Sequence, residues 1–446
     1  MTKVISADWV LPVEAPPIER GAIAFEDGRI AAVGTVDELG EGTHYAESAI
    51  LPGFVNAHTH IEYAVYGGFG DGLADFSEWI SIHIDRKARI AWEEYLDIAR
   101  LGAAECLASG MTTIGDCSFS GAAAVACAEL GLRATVYVEV FGADVPDALE
   151  RFARIRDRVE GSFSERVQPG VSPHAPYSVS AEVYEACAEL GLPLATHLSE
   201  SVNELAYLTR GEGSWSTYAD LLVEPPRTTG TRLLADLGLL GPSLVAAHCV
   251  LVDEEEIDLL ATSGTGVAHC ARSNAQLGCG VAPLDELRGA GVRVGIGTDS
   301  PASAVSFDLF DELRTVVLAA RARAGRPDAL TAAEAIELAT LGSARALGLD
   351  EEVGSLVPGK RADAAVVSLA GSPYLPWEEP ATDVVYGGSM DRVLATFVGG
   401  ELRYEKGGFE WHELIAAAHN ARRAMLAPRV AAGTPEAGAA APRHAS

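Results

Sequence analysis

The chain reads as an α/β protein, a (β/α)8, TIM-like barrel carrying a small discontinuous β-sandwich domain built from its two ends. Three observations predict this. From residue 51 onward, short apolar runs alternate with Ala-, Leu-, Glu- and Arg-rich helical stretches, about eight times over roughly 300 residues, the pattern of βα units around a parallel sheet. Both flanks of that region return to short strand-like segments. Ionisable residues close four of the apolar runs, in FVNAHTH, LPLATH, LVAAH and VGIGTD, and barrels of this kind build their sites at the C-terminal ends of their strands.

Residues 1–50 form the first part of the sandwich domain. VISADWVLPV, GAIAFEDGRIAAVG and HYAESAILPG carry strand-like runs, and the Asp-Gly in EDGR marks a hairpin. Residues 51–350 form the barrel. Strands are expected at 51–60, 112–115, 133–141, 167–172, 193–197, 244–248, 265–269 and 292–298, with helices at 93–109, 121–131 and 147–160 among the connections. The helix TAAEAIELATLGSARALGL, 331–349, closes the barrel. Residues 351–426 return to strands in GSLVPGKRADAAVVSL and DRVLATFVGGELRYEKGG and end in a C-terminal helix. The Ala-, Pro- and Gly-rich tail, 427–446, has the composition of a disordered segment.

Composition narrows the function. The seven cysteines include no CxxC pair and sit in apolar or helix-like contexts, which predicts reduced, buried thiols and a cytoplasmic protein. The N-terminus lacks the pattern of an export signal, and no apolar run approaches about 18 residues, so no membrane partner is expected. A net charge of −30 argues against nucleic acid.

The chemistry starts at His58 and His60. Side chains at i and i+2 of a strand share a face, so both imidazoles can reach one metal ion. An isolated HxH is as readily a pair of solvated loop histidines. His197, His248 and Asp299 change that balance, because each closes a separate strand-like run and all four runs would converge on one mouth. A bound divalent metal lowers the pKa of water to roughly 7, which makes hydroxide available for attack on an sp² carbon. Attack on an amino-substituted aromatic ring also needs an acid/base group beside the metal, and Glu200, three residues after His197, is placed for it.

NAHTH, HLSE, AAH, HCARSN, GTDS and HAPYS together resemble the amidohydrolase superfamily, in its adenosine and cytosine deaminase-like branch, and the resemblance spans nearly the whole chain. It implies His58, His60 and His197 as metal ligands, and Asp299 as a further ligand and base. It implies His248 as a group near the metal that orients the attacking water, and Glu200 as the proton shuttle. Binuclear members carry a lysine or glutamate at the end of the fourth strand. Here that strand ends in GVSPHAPYS, and the chain's only lysines are Lys3, Lys87, Lys360 and Lys406. One divalent ion per subunit is therefore expected, Zn2+ or Fe2+, since nitrogen and carboxylate ligands suit both. Barrels of this kind often pair, so a homodimer is one expectation.

For substrate contacts the resemblance points to His174 in SPHAPYS, and to Glu78 and Trp79 in the Gly- and aromatic-rich stretch 61–84. In similar nucleoside deaminases an acidic residue in that stretch binds sugar hydroxyls. His83 lies in the same stretch. Ser300 follows Asp299, and His269, Arg272 and Asn274 organise the pocket from the seventh strand. The long insertion after Glu200 adds Arg210, Trp215 and Tyr218 as candidates for a distal group. The expected substrate is a nucleoside of the adenosine type, with 6-amino-6-deoxyfutalosine of menaquinone biosynthesis first, on the likeness of NAHTHIE and HLSES to aminodeoxyfutalosine deaminases. S-adenosylhomocysteine, methylthioadenosine and adenosine come next. Guanine or cytosine deamination, triazine hydrolysis and cyclic amide hydrolysis share the chemistry, and a non-catalytic binding barrel is the remaining alternative.

Overall fold

The structure, a computed structural model, describes residues 2–213, 215, 221–371, 379–408 and 410–427. The 427–446 tail, beyond its first residue, lies outside the described residues.

The first strands are β1 (Lys3–Val10), β2 (Ile18–Glu26), β3 (Arg29–Thr35) and β4 (Thr43–Pro52). Asp27, with φ of 50°, and Gly28 make the tight β2–β3 turn that the EDGR segment signalled. Eight parallel strands follow: β5 (Phe54–Thr59), β6 (Met111–Ser118), β7 (Arg133–Val140), β8 (Val167–Pro173), β9 (Leu194–Leu198), β10 (Leu244–His248), β11 (Gly266–His269) and β12 (Arg293–Ile296). The chain ends with β13 (Ala364–Ser368), β14 (Val393–Val398), β15 (Glu401–Glu405) and the helix Trp411–Leu426.

The terminal segments make one seven-stranded sheet in the order β15-β14-β13-β4-β1-β2-β3. Three strands separate β14 from β2, yet the rings of Phe397 and Phe25 lie 5.9 Å apart. The sheet therefore curls over itself around a core that includes Ile5, Ile23, Ile50 and Val366, which gives the sandwich expected of the two ends.

The barrel strands pair consecutively from β5 to β12. Where β12 meets β5, side chains replace a regular ladder. Asn56 Nδ2 donates to Thr298 Oγ1 at 2.7 Å, and Thr298 N–H donates to Asn56 Oδ1 at 3.0 Å. Asp299 N–H donates to the His58 carbonyl at 3.0 Å and completes the seam beside the HxH. The closing helix is not continuous. It runs Ala332–Glu337, widens into a π-turn over Leu338–Gly342, and resumes at Ser343–Leu347. The widened turn lets Ser343 accept from Ile296 N–H at 2.8 Å, against Gly295, where a Cβ would lie 2.4 Å from Ser343 Cα. Leu347 then packs among Ala57, Val245 and Ala268, and among Cys117, Tyr137 and Ala195, filling the barrel interior from six strands. Among the described residues no helix is long and apolar enough to cross a membrane. The seven cysteines are buried and unpaired.

Candidate active site

Three barrel strands leave the sheet through left-handed backbone at residues other than glycine. Ser199 after β9 has φ of 53°, His248 at the end of β10 has φ of 74°, and Asp299 after β12 has φ of 55°. Each such conformation costs about 1–2 kcal/mol, and the three cluster at one end of the barrel. Together with β5, these strands bring His58, His60, His197, His248, Glu200 and Asp299 to the rim, every one of them buried.

The donor set fits a cation. His60 Nδ1 lies 2.8 Å from the Cys117 carbonyl and His197 Nδ1 lies 2.8 Å from the His174 carbonyl. A carbonyl only accepts, so both Nδ1 atoms carry the proton and both Nε2 atoms present lone pairs. Those two lone pairs face each other at 3.2 Å. His58 Nε2, also buried, has no hydrogen-bond partner among the described residues. Asp299 Oδ1 stands 3.6 Å from His60 Nε2 and 3.9 Å from His58 Nε2. Without a positive charge between them, these acceptors would repel one another. Protonation is a poor remedy, since burial and the neighbouring imidazoles hold His58 well below the ordinary histidine range, and burial holds His60 down to about 4. His58, His60 and His197 thus form a group that could hold a divalent ion, with Asp299 beside it.

The two carboxylates of the site are driven apart. Burial, with the charge of Asp299, pushes Glu200 up to about 8. Burial would also raise Asp299, but His60, His248 and hydroxyl donors outweigh it and hold it below the usual carboxylate range. Ser273 Oγ and Ser303 Oγ each donate to Asp299 Oδ2 at 2.7 Å, and Ser300 N–H donates to Oδ1 at 2.8 Å. Burial thus favours a protonated Glu200 while the donors favour an ionised Asp299, an acid and a base side by side. His248 Nδ1 sits 2.9 Å from Asn274 Oδ1 and 3.7 Å from Glu200 Oε1.

These groups open into a cavity of about 520 Å³. His174, Trp79, Trp215, His83 and Ser300 line it. His174 stands 4.7 Å from His197, ring to ring, and its Nδ1 is 2.8 Å from Ser178 Oγ. Trp79 is fixed by Nε1–H donation to the Ala302 carbonyl at 3.0 Å. His269 is buried with Nδ1 unpartnered, and Arg272 is bound to Glu312 at 2.6 Å, behind the site.

Two expected contacts are not in the cavity. On the helix Phe76–Lys87 the buried stripe is Phe76, Trp79, Ile80 and His83. Glu78 lies off that stripe, exposed, and its carboxylate accepts Ala74 N–H at 2.9 Å across the helix start, where the helix dipole favours an anion. Arg210 ends the helix Val202–Arg210, exposed and paired with Glu212 at 2.9 Å. Tyr218 lies outside the described residues.

Two buried carboxylates that matter here were not singled out from the sequence. Glu204, buried, accepts Ser199 N–H at 2.9 Å and Glu200 N–H at 2.7 Å, and so holds the left-handed turn that presents Glu200. Glu62, also buried, gathers Ser118, Ser120 and Ala123 behind the HxH strand. The capping spacing in ESVNE, with Ser201 accepting Glu204 N–H, was the one available signal for Glu204. For Glu62 the signal was its place in NAHTHIE, two residues after His60.

Comparison with known proteins shows the family. Residues 49–403 match the Amidohydrolase family. The chain belongs to that family. It is 33% identical over 423 residues to a 5-methylthioadenosine/S-adenosylhomocysteine deaminase of Moorella thermoacetica, covering 91% of this chain and 95% of the relative. It is 32% identical to a 5'-deoxyadenosine deaminase of Methanothermobacter thermautotrophicus, covering 89% and 92%. Among solved structures, a zinc-bound adenosine deaminase from Xanthomonas campestris superposes with a TM-score of 0.82 at 28% identity, covering 95% of this chain and 98% of that one. An atrazine chlorohydrolase from Arthrobacter aurescens, with a TM-score of 0.80 at 22% identity over 95% and 99%, shares the fold. The family is metal-dependent, and this amidohydrolase is a hydrolase of the aminohydrolase, or deaminase, kind.

Proposed function

We propose that this amidohydrolase removes the 6-amino group of a 5′-modified adenosine as ammonia. 6-Amino-6-deoxyfutalosine is the first substrate to test, with S-adenosylhomocysteine, methylthioadenosine and adenosine as its nearest rivals. The observation that carries the reading is the placement of two buried carboxyls, Asp299 at 3.6 Å from His60 Nε2 and Glu200 at 3.7 Å from His248 Nδ1, beside the His58, His60 and His197 cluster. The relatives support the adenosine class, because those from Moorella and Methanothermobacter are named for adenosines altered at the 5′ position.

His58, His60 and His197, with Asp299, would hold one divalent ion, zinc first and iron second. Such an ion supplies Lewis acidity, lowering the pKa of water to about 7. Asp299, held ionised by its serine donors, accepts the proton of the attacking water. Glu200, which burial pushes up to about 8, gives its proton to the ring nitrogen whose aromatic bond is broken; the departing amine then takes the proton that Asp299 received from the water, and Glu200 recovers one from the new C6 hydroxyl as the carbonyl forms. His248 donates Nδ1–H to Asn274, which fixes the ring and leaves Nε2 as an acceptor to orient the water. His174 and Trp79 contact the base and the groups attached to it from the cavity wall.

The test is ammonia release by metal-loaded enzyme from these four adenosines, with guanine, cytosine and a triazine alongside. A preference among the adenosines that disappears in Glu200→Gln, with metal still bound, is the expected result. Turnover of only guanine, cytosine or the triazine would overturn the adenosine assignment.

A further inference from the structure

One guanidinium joins the two segments that serve Asp299. The first segment is the short helix Ala271–Gln276 after β11, and the second is Pro301–Ala304 with the turn behind it. Ser273 from the first and Ser303 from the second each donate to the same oxygen, Asp299 Oδ2, at 2.7 Å. Arg272 sits beside Ser273. Its Nη1 donates to Ser306 Oγ at 3.1 Å and its Nη2 to the Ser306 carbonyl at 2.8 Å, just past Ser303. Its Nε donates at 2.6 Å to Glu312, on the helix Leu309–Ala324, and its backbone N–H donates to the other Glu312 oxygen at 3.0 Å. The two side chains are only 11% and 0% exposed, and neither lines the cavity.

The second segment does not take its shape from local preference. Val305 has φ of 72°, a strained value for a β-branched residue, and its side chain is exposed, so its packing does not demand that backbone. Ser306 N–H donates to the Ala304 carbonyl at 2.9 Å across Val305, which closes a three-residue turn. The bonds from Arg272 fall on the next residue and hold that turn in place. Nor does stability by itself account for the buried pair, since apolar residues of similar volume often stabilise a core as well as an ion pair does. What apolar residues cannot do is tie a carboxylate, a hydroxyl and a carbonyl into one plane, as a guanidinium fork does.

We propose that Arg272 and Glu312 are positioning residues for Asp299. Glu312 fixes the guanidinium, the guanidinium fixes Ser306 against the Ala271–Gln276 helix, and Ser273 and Ser303 then close on Oδ2 from the two segments. With Oδ2 taken by hydroxyls, Oδ1 is the oxygen that stands toward His60 and His58, at 3.6 and 3.9 Å. The inference rests on the reading of Asp299 as a ligand and base of the metal site. A pair that touches neither ion nor substrate thereby sets how tightly the ion is held and how well Asp299 is aimed at the water.

The test reads zinc affinity by competition with a chromophoric chelator, and kcat and KM by ammonia release. In Arg272→Met the Kd for zinc should rise by at least about tenfold and kcat fall by about tenfold to a hundredfold, with KM changed by less than about threefold. Arg272→Lys, which keeps the charge but not the fork, should fall between Arg272→Met and wild type. In a Ser273→Ala, Ser303→Ala background the same Arg272 substitution should change the zinc Kd by less than about twofold, because the serines through which Arg272 acts are gone. Val305→Gly added to Arg272→Met should recover part of the lost affinity, since glycine takes the left-handed turn without strain. A wild-type zinc Kd in Arg272→Met with only a lowered Tm would show a purely structural role and overturn the assignment; should that variant not fold, a wild-type zinc Kd in Arg272→Lys does the same. So would an effect of the substitution as large without the two serines as with them. If wild-type enzyme releases no ammonia from any adenosine, the deaminase reading has failed, and the zinc affinities alone decide the positioning.

Discussion

Replacing Glu204 by alanine tests whether the turn after β9 is what places the proton shuttle. Glu204 is buried, and its two oxygens accept the N–H groups of Ser199 and Glu200 at 2.9 and 2.7 Å. Ser199 is held there with φ of 53°. Alanine leaves two buried donors unpaired, each at about 1–2 kcal/mol, so a loss of about 3 kcal/mol is expected. In a chain of 446 residues that corresponds to only about a 3 °C drop in Tm, so the protein stays folded at assay temperature. The turn is then free to relax, and a misplaced acid/base group lowers kcat by about a hundredfold, with a smaller change in KM. Glu204→Gln keeps one acceptor oxygen and should fall between alanine and wild type. The assay is steady-state ammonia release with the metal content measured on the same samples. A Glu204→Ala enzyme with full metal and kcat within about threefold of wild type would refute the positioning argument, because Glu200 would then be held without its backbone anchor.

Three further outcomes follow from the same geometry. Glu200→Gln should lower kcat by about a thousandfold while metal content stays at one ion per chain, and loss of the metal in that variant would mean that Glu200 is a ligand instead. Stripping the ion with a chelator should abolish activity and lower Tm, with both restored by zinc; at a thousandfold excess over Kd the bound ion contributes about 4 kcal/mol, and an unchanged Tm would count against a resident metal among His58, His60 and His197. Burial pushes Glu105 up to about 7 from an ordinary value near 4.5, so the folded state favours its protonated form; stability is full below about pH 4.5, falls as the pH rises towards 7 and is lowest above it. Glu105→Gln should therefore gain about 2 kcal/mol near pH 8 and almost nothing near pH 5 by urea unfolding, and an equal gain at both pH values would rule out this cause.

The Glu78 and Trp79 positions show where reading along the chain reaches its end. Both lie on one helix, adjacent in sequence. In the Gly- and aromatic-rich stretch 61–84 the family resemblance singled out Glu78 as a substrate contact. Which side chain faces the cavity depends on the helix phase, set by Asp75 at the N-cap and by packing against Trp215 and Ala302. Trp215 and Ala302 come from segments more than a hundred residues away. Arg210 failed as a contact for a similar reason, since helix phase left it pointing to solvent, where Glu212 was its nearest counter-ion.

What the sequence determined by itself was everything with a short period. The alternation of βα units marked a barrel, and the two-residue repeat of a strand put His58 and His60 on one face. The end of each apolar run located His197, His248 and Asp299 at one rim. All of these are local relations, decided within one strand and its first turn. Tertiary structure decided what depends on strands and helices far apart in the chain. The Asn56–Thr298 seam that closes the barrel spans 242 positions, and the Arg272–Glu312 pair spans 40. The opposite protonation of Glu200 and Asp299 belongs there too. Two carboxylates alike in sequence acquire different charges only when burial, serine hydroxyls and neighbouring imidazoles act on them unequally.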